Sequence, residues 1–314
     1  ITGTHAFKFG YSDGQGSRDE TVVAMDSPLS FRLNNGVPNQ LTQVYSPNIH
    51  CDENNGCDQY QNHSRQDHDM GLYAQDKWSF NRLTLTYGLR YSWYKTSFPA
   101  QHVSPSPLAP ALNLDIPGTN GVSWRDVTPR FGAVYDAFGN GKTAVKVSLN
   151  KFVNGQALTG NAGGNTVIFG SALNPFNRLV LSTTRNWTDT NRNFVPDCDL
   201  TNPGANAECA AMTNQNFGKT VAGSTYDPEI LSGWGKRGYN WEFAAGVQQE
   251  VLPRTAVELT FFRRSYGNFV VIDNRAVAAS DYTKFSVTAP ADSRLPGGGG
   301  YAVTGLYDLN PNKV

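Results

Sequence analysis

No stretch of the 314-residue chain comes near the roughly 18 consecutive apolar residues that a transmembrane helix needs. Neither sign of charge is in excess. The 26 Lys and Arg balance 26 Asp and Glu, which leaves no electrostatic footprint for nucleic acid as a partner. No Gly-x-Ser-x-Gly or His-Glu-x-x-His motif occurs, so nothing points to a serine hydrolase or a zinc protease, and no enzyme is expected. Gly139-Asn140-Gly141-Lys142-Thr143 ends like a phosphate-binding loop. The position that needs the first glycine is Asp136, however, and no helical pattern follows, which argues against a nucleotide site. A secretory leader is also lacking. The chain opens on Ile1 without a charged and then apolar segment, and it closes on Asn310-Pro311-Asn312-Lys313-Val314 without an obvious final element. It therefore reads as an internal piece of a longer protein.

Cysteine is limited to four residues, in two close pairs: Cys51 with Cys57, and Cys198 with Cys209. Each pair closes a short polar loop. Neither has Cys-x-x-Cys spacing or a partner suited to zinc, so two local disulfides in an oxidising compartment are expected over four free thiols.

A mean hydropathy of −0.44 would place the chain in water. That inference fails for β-barrels, whose strands alternate lipid-facing and lumen-facing residues and average out as polar. Such alternation is present. Leu83, Leu85, Tyr87, Leu89, Tyr91 and Trp93 share one face, while Thr84, Thr86, Gly88, Arg90 and Ser92 share the other. Eleven residues are more than the 5–6 or so of an ordinary strand and match the roughly 9–11 that cross a bilayer. The pattern recurs over 127–137, 143–150, 239–251 and 257–262. Pro129 lacks a ladder donor and is expected at a strand start or a bulge. Weaker strands are expected over 4–11, 29–34 and 40–45.

Short turns at 80–82, 138–142 and 252–254 join these strands, whereas long polar insertions fill 46–68, 94–124 and 154–238. Tight turns alternating with long loops are what a membrane barrel shows, with short periplasmic and long extracellular connections. Tyr91, Trp93, Tyr239 and Trp241 stand at the long-loop ends of strands and Trp78 beside a short turn, the placement of two interfacial aromatic girdles. Arg90, Lys146, Glu242 and Glu250 fall on the face opposite the apolar one, which in a barrel is the lumen. The expected fold is thus all-β: part of a transmembrane antiparallel β-barrel with long extracellular loops, its remaining strands outside this segment.

Gly71-Leu-Tyr-Ala-Gln-Asp-Lys-Trp78 followed by Leu83-Thr-Leu-Thr-Tyr-Gly-Leu-Arg-Tyr91 resembles a hairpin of TonB-dependent receptor barrels. Asp126-Val-Thr-Pro-Arg-Phe-Gly-Ala-Val-Tyr135 and Gly141-Lys-Thr143 fit the next hairpin. Tyr266-Gly-Asn-Phe269, Asp281-Tyr282 and Leu295-Pro-Gly-Gly-Gly-Gly-Tyr301 resemble the Oar-like branch. The resemblance implies a piece of a plugged, roughly 22-stranded barrel of the Gram-negative outer membrane. It implies that residues 1–314 lie within one barrel domain, with the plug, an N-terminal regulatory-like domain and the terminal strands elsewhere. The implied function is uptake of a scarce substrate, a glycan or a polypeptide, with membrane lipid and the TonB complex as partners. The alternative is a non-transporting surface adhesin or a secreted β-sandwich, which would turn its apolar faces inward.

One loop has sharper chemistry. Asp189, Asn191, Asn193, the Val195 carbonyl and Asp197 stand at positions 1, 3, 5, 7 and 9 of a calcium-type loop, making a structural calcium the candidate cofactor. Position 6 is Phe194 in place of glycine, and no Glu stands at position 12, so a turn network of Asx side chains pinned by Cys198–Cys209 is the favoured reading. His50, His63 and His68 share a loop with acidic residues and are expected to be solvated.

Overall fold

The computed structural model describes residues 3–20, 28–46, 51–52, 56–57, 62–155, 173–221, 223 and 225–313. Its strands, in chain order, are β1 (Thr4–Glu20), β2 (Leu29–Asn34), β3 (Val37–Val44), β4 (Cys51–Asp52), β5 (Gly56–Cys57), β6 (Asn62–Phe80), β7 (Leu83–Phe98), β8 (Gln101–Val103) and β9 (Leu114–Ile116). They continue with β10 (Thr119–Asp136), β11 (Thr143–Val153), β12 (Ser182–Asn186), β13 (Ser232–Trp234), β14 (Tyr239–Leu252), β15 (Thr255–Gly267), β16 (Tyr282–Thr288) and β17 (Ala302–Leu309). A single helical turn, α1 (Pro228–Leu231), is capped by Asp227. Two compact units divide the chain, Ile1–Asn268 and Phe269–Val314. The second holds the antiparallel pair β16–β17.

The first unit is built on a wall of antiparallel strands in the order β1-β6-β7-β10-β11-β14-β15. The sheet is open. Its strands are joined by tight turns in which Asn81 and Arg254 take positive φ, 50° and 67°. In the turn after β10, the Asp136 carboxylate accepts the backbone N–H groups of Gly139 and Gly141, both at 2.9 Å. That side chain occupies the turn that resembled a phosphate loop, and a strand follows it.

Four strands are longer than the alternation suggested. β1, β6, β7 and β10 run 17, 19, 16 and 18 residues, and three of them reach well into the stretches read as loops. Pro129 starts no strand and makes no bulge. It pairs with Leu89 in mid-strand. Along this part of β10, alternate N–H groups point toward the β11 side, as Ala137 N–H donates to Thr143 O and Arg125 O accepts from Gly235. Pro129 has the same parity, and its missing donor falls just where pairing with β11 stops, at Arg130↔Asn150. Beyond that split β13 takes over the edge, pairing in parallel with Ser123–Arg125.

The described parts of the long insertions are folded. A three-stranded sheet, β12-β3-β2, joins the third of them to the β2–β3 hairpin that precedes the first. One core cluster draws Tyr45 from just after β3, Val103, Leu112 and Ile116 from the second insertion, and Phe176, Met212 and Phe217 from the third. A second cluster places Leu41 against Trp187 and Cys209. Because apolar area removed from water stabilises at about 25 cal/mol per Å², these segments hold each other in a compact module. The expected 40–45 strand belongs to this module, as β3.

Candidate functional site: the wall and its loop module

The two faces of the wall differ in kind. On the apolar face Phe9, Leu89 and Leu259 are 81%, 58% and 81% exposed, and Phe7, Tyr11, Leu72, Phe131 and Phe261 are exposed beside them. A contiguous apolar surface of this extent marks contact with lipid or protein. It also sets aside a secreted sandwich, whose apolar faces would meet each other.

The alternation then inverts. On β7 the outward residues run Leu83 to Trp93 and then change to Lys95 and Ser97. The opposite face runs Thr84 to Ser92 and then changes to Tyr94, Thr96 and Phe98, all buried. On β10 the outward series Tyr135 to Val127 gives way to Arg125 and Ser123, while Trp124 and Val122 are buried on the other side. On β1 Phe7, Phe9 and Tyr11 give way to Asp13. Below the switch the sheet is apolar outside. Above it the sheet is polar outside and buries an apolar inner face against Leu173 and Leu231. From Leu83 to Trp93 are ten steps of about 3.3 Å, and a tilt of about 40° turns this path into a height of about 25 Å, the apolar band of an outer-membrane barrel.

At the upper end of the switch Tyr91 packs on Trp234 at 5.7 Å, and the Arg125 guanidinium lies 5.9 Å from the Trp93 ring. Lys151 Nζ sits 4.5 Å over Tyr239, with Trp241 opposite Lys151 in register. Trp78 lies at the other end, tilted against Phe80 at 5.9 Å and stacked on His5 at 5.6 Å. His5 in turn contacts Asp76 at 2.7 Å on the apolar side, where the Tyr87 hydroxyl also donates to Asp76 at 2.8 Å.

The four charged residues expected to face the lumen occupy the polar face. Lys146 reaches Gln248 at 2.5 Å and Glu258 at 3.4 Å, and Glu242 pairs with Arg264 at 2.6 Å. Arg90 donates to Ser92 Oγ at 3.2 Å, and Glu250 donates its backbone N–H to Lys142 O at 2.8 Å. Sequence reasoning missed the pair at the β10–β11 split. Arg237 Nε donates to Asp126 Oδ2 at 3.0 Å, with both side chains buried. The guanidinium lies 5.4 Å from the Tyr94 ring and 5.9 Å from Trp124, and Trp124 Nε1 donates to Ile230 O at 2.7 Å. Together they fasten the segment before β14 to the wall.

In the module Cys198 and Cys209 form a disulfide with Cα atoms 5.9 Å apart. A cross-link over so short a loop contributes on the order of 3 kcal/mol. Cys51 and Cys57 face each other across β4–β5, but their side chains lie outside the described residues, as does His50. His63 and His68 lie in β6, not in a loop, and pair with Asp19 at 2.6 Å and Asp13 at 2.9 Å.

The Asp189–Asp197 turn is organised by its own side chains. Asp189 accepts Asn193 N–H at 3.2 Å and Phe194 N–H at 3.0 Å. Asn191 Oδ1 accepts Asn193 N–H at 3.1 Å, and Asn193 Oδ1 accepts Val195 N–H at 2.7 Å. Asp197 Oδ2 accepts the amides of Asn191 at 2.6 Å and Asn193 at 3.0 Å. Phe194 adopts φ 59°, the turn that glycine ordinarily makes at that position. These bonds tie the turn's side-chain oxygens to its own N–H and amide donors. Glu208, unnoticed in the sequence, is its hub. It accepts the Thr190 hydroxyl, Thr190 N–H at 2.7 Å, Asp197 N–H at 3.2 Å and Trp187 Nε1 at 3.3 Å, and these donors hold its carboxyl down at about 2. Arg185, fully buried, closes the module by donating to the carbonyls of Ala210, Asn202 and Gly204 at 2.7, 3.2 and 2.7 Å.

A sheet with an exposed apolar belt about 25 Å tall, aromatic ends and a polar opposite face is the wall of a membrane-spanning β-barrel. Residues 1–284 match the family model described as an outer membrane beta barrel domain. The chain belongs to that family, and its place is the bacterial outer membrane. No curated protein and no solved structure matches it.

Proposed function

We propose that this wall and its module are part of a TonB-dependent transporter of the Oar-like branch. In this reading lipid covers the apolar face, further strands close the barrel, and a plug fills it. The TonB complex engages the N-terminal part of the protein and drives uptake of a scarce glycan or polypeptide. The observation that carries the reading is the folded module. Two separate insertions and the residues that follow the β2–β3 hairpin share one core and are fixed by a disulfide and by a buried arginine that satisfies three carbonyls. A passive pore has no use for so rigid a structure above its mouth, whereas a receptor needs a preorganised surface, since ordering a loop on binding costs affinity. The hairpin resemblance of 71–91 supports the same reading.

The direct test is retention of the full-length protein, extracted from outer membranes, on an immobilised TonB periplasmic domain. Specific retention is expected. Its absence would leave the surface adhesin as the better account.

A further inference from the structure

The polar face is not uniform in charge. On its β11–β15 side the cations are neutralised, Lys146 by Glu258 and Arg264 by Glu242. On the lower β1–β10 side Lys8, Arg90 and Arg130 have no carboxylate partner among the described residues. They line a single open cleft of about 230 Å³ with Tyr73 and Gln75, and among the described residues no carboxylate lines it. The nearby acids of that face are spoken for or removed. Asp126 is held by Arg237, and Asp69 stands four register pairs beyond Tyr73↔Arg90.

The backbone register explains how the cations meet. Lys8, Gln75, Gly88 and Arg130 lie in one row across β1, β6, β7 and β10. At about 4.8 Å per strand, Lys8 and Arg130 start about 14 Å apart, a span that two long side chains reaching inward can narrow. Glycine clears the floor between them. A Cβ at Gly71 would fall 1.9 Å from an Arg90 guanidinium nitrogen, so the guanidinium lies flat on β6 only because residue 71 has no side chain. A Cβ at Gly10 would likewise strike the Tyr73 ring at 2.7 Å.

We infer that this cleft is a binding site for a small molecule bearing several oxyanionic groups, carboxylates or phosphates. Two guanidinium groups supply forked donors suited to such groups, Lys8 adds a point charge, and the Tyr73 hydroxyl and Gln75 amide supply neutral donors. The volume lies below the roughly 300–1,000 Å³ of pockets that enclose drug-sized ligands, so the site suits an anionic head and not a whole polymer. The inference rests on the polar face being luminal and not on energised import, so the two fail separately.

The test uses the full-length protein in lipid nanodiscs and pyrene-1,3,6,8-tetrasulfonate as an anisotropy probe, with citrate and pyrophosphate as competitors. Saturable binding that both competitors displace and added salt weakens is expected. The variant Lys8→Gln/Arg90→Gln/Arg130→Gln is expected to bind at least about tenfold more weakly. Lys146→Gln/Arg264→Gln, on the neutralised side, is expected to bind within about twofold of wild type. Should the triple variant fail to fold, Arg130→Gln alone reports the same site with a loss of about threefold. Absence of saturable binding by the wild type, or equal loss in the two multiple variants, would overturn the proposal.

Discussion

Replacing Leu89 by arginine places a charge on the apolar face of β7, where the native side chain is 58% exposed and meets no aqueous partner in a barrel. Leu89 stands six strand steps from the turn at Leu83. At about 3.3 Å per step and a tilt of about 40° this is about 15 Å above the turn, close to the middle of an apolar band about 25 Å tall. A charged residue at that depth costs about 2–4 kcal/mol, which lowers the folding equilibrium constant about 30- to 1,000-fold. The companion substitution is Ser148→Arg, on the polar face between Gly132 and Ala244 in register. There the charge meets water, and the cost is under about 1 kcal/mol. Urea titration of refolding into lipid vesicles, followed by tryptophan fluorescence, measures both. If the two variants shift the midpoint equally, the apolar face does not meet lipid and the reasoning fails.

Three further outcomes follow from the upper wall and the module. Asp126→Asn leaves the Arg237 guanidinium buried without its counter-charge, at a cost of about 3–5 kcal/mol. Thermal melting should show that loss, with most of it recovered in the double variant Asp126→Leu/Arg237→Met, and a single-variant loss under about 1 kcal/mol would contradict it. Glu208 titrates at about 2 when folded against 4.5 for the free group, so its contribution to the module is complete above pH 4.5 and disappears as pH falls toward 2. Limited proteolysis of the module across that range should show the transition, and Glu208→Gln should flatten it. Because the Asp189–Asp197 turn is closed by its own hydrogen bonds, EGTA should leave the proteolysis rate of 182–221 unchanged, and a clear acceleration would reveal a calcium ion.

The lower wall was legible in the sequence because one face meets lipid and the other does not, so Leu83–Trp93 alternates without a break. The upper wall was hidden by the same rule. At Tyr94 on β7 and Trp124 on β10 the apolar residues change sides, which ends a period-two count although the strand continues. Register shifts between Gln66 and His68 and between Asn120 and Ser123 break the phase again. Pro129 misled because its cost depends on which neighbour it faces, and only the three-dimensional pairing shows that β11 has already left. The module was illegible for another reason: Tyr45, Val103 and Phe176 meet in one core but come from three distant segments with no local period. Arg90, Lys146 and Glu242 were readable as polar-face residues, while Asp126, Arg237 and Glu208 act through partners 111 and 18 residues away that spacing cannot reveal.

The most direct test of a membrane wall whose polarity inverts above the bilayer is cysteine labelling in native outer membranes. Single cysteines at Leu89 and Arg125, on one face, and at Lys77, on the other, are exposed to a lipid-confined probe and to a water-soluble maleimide. The account predicts that Leu89→Cys reacts only with the lipid probe, while Arg125→Cys and Lys77→Cys react only with the maleimide. Labelling of Leu89→Cys from water, or of Arg125→Cys from lipid, would contradict it.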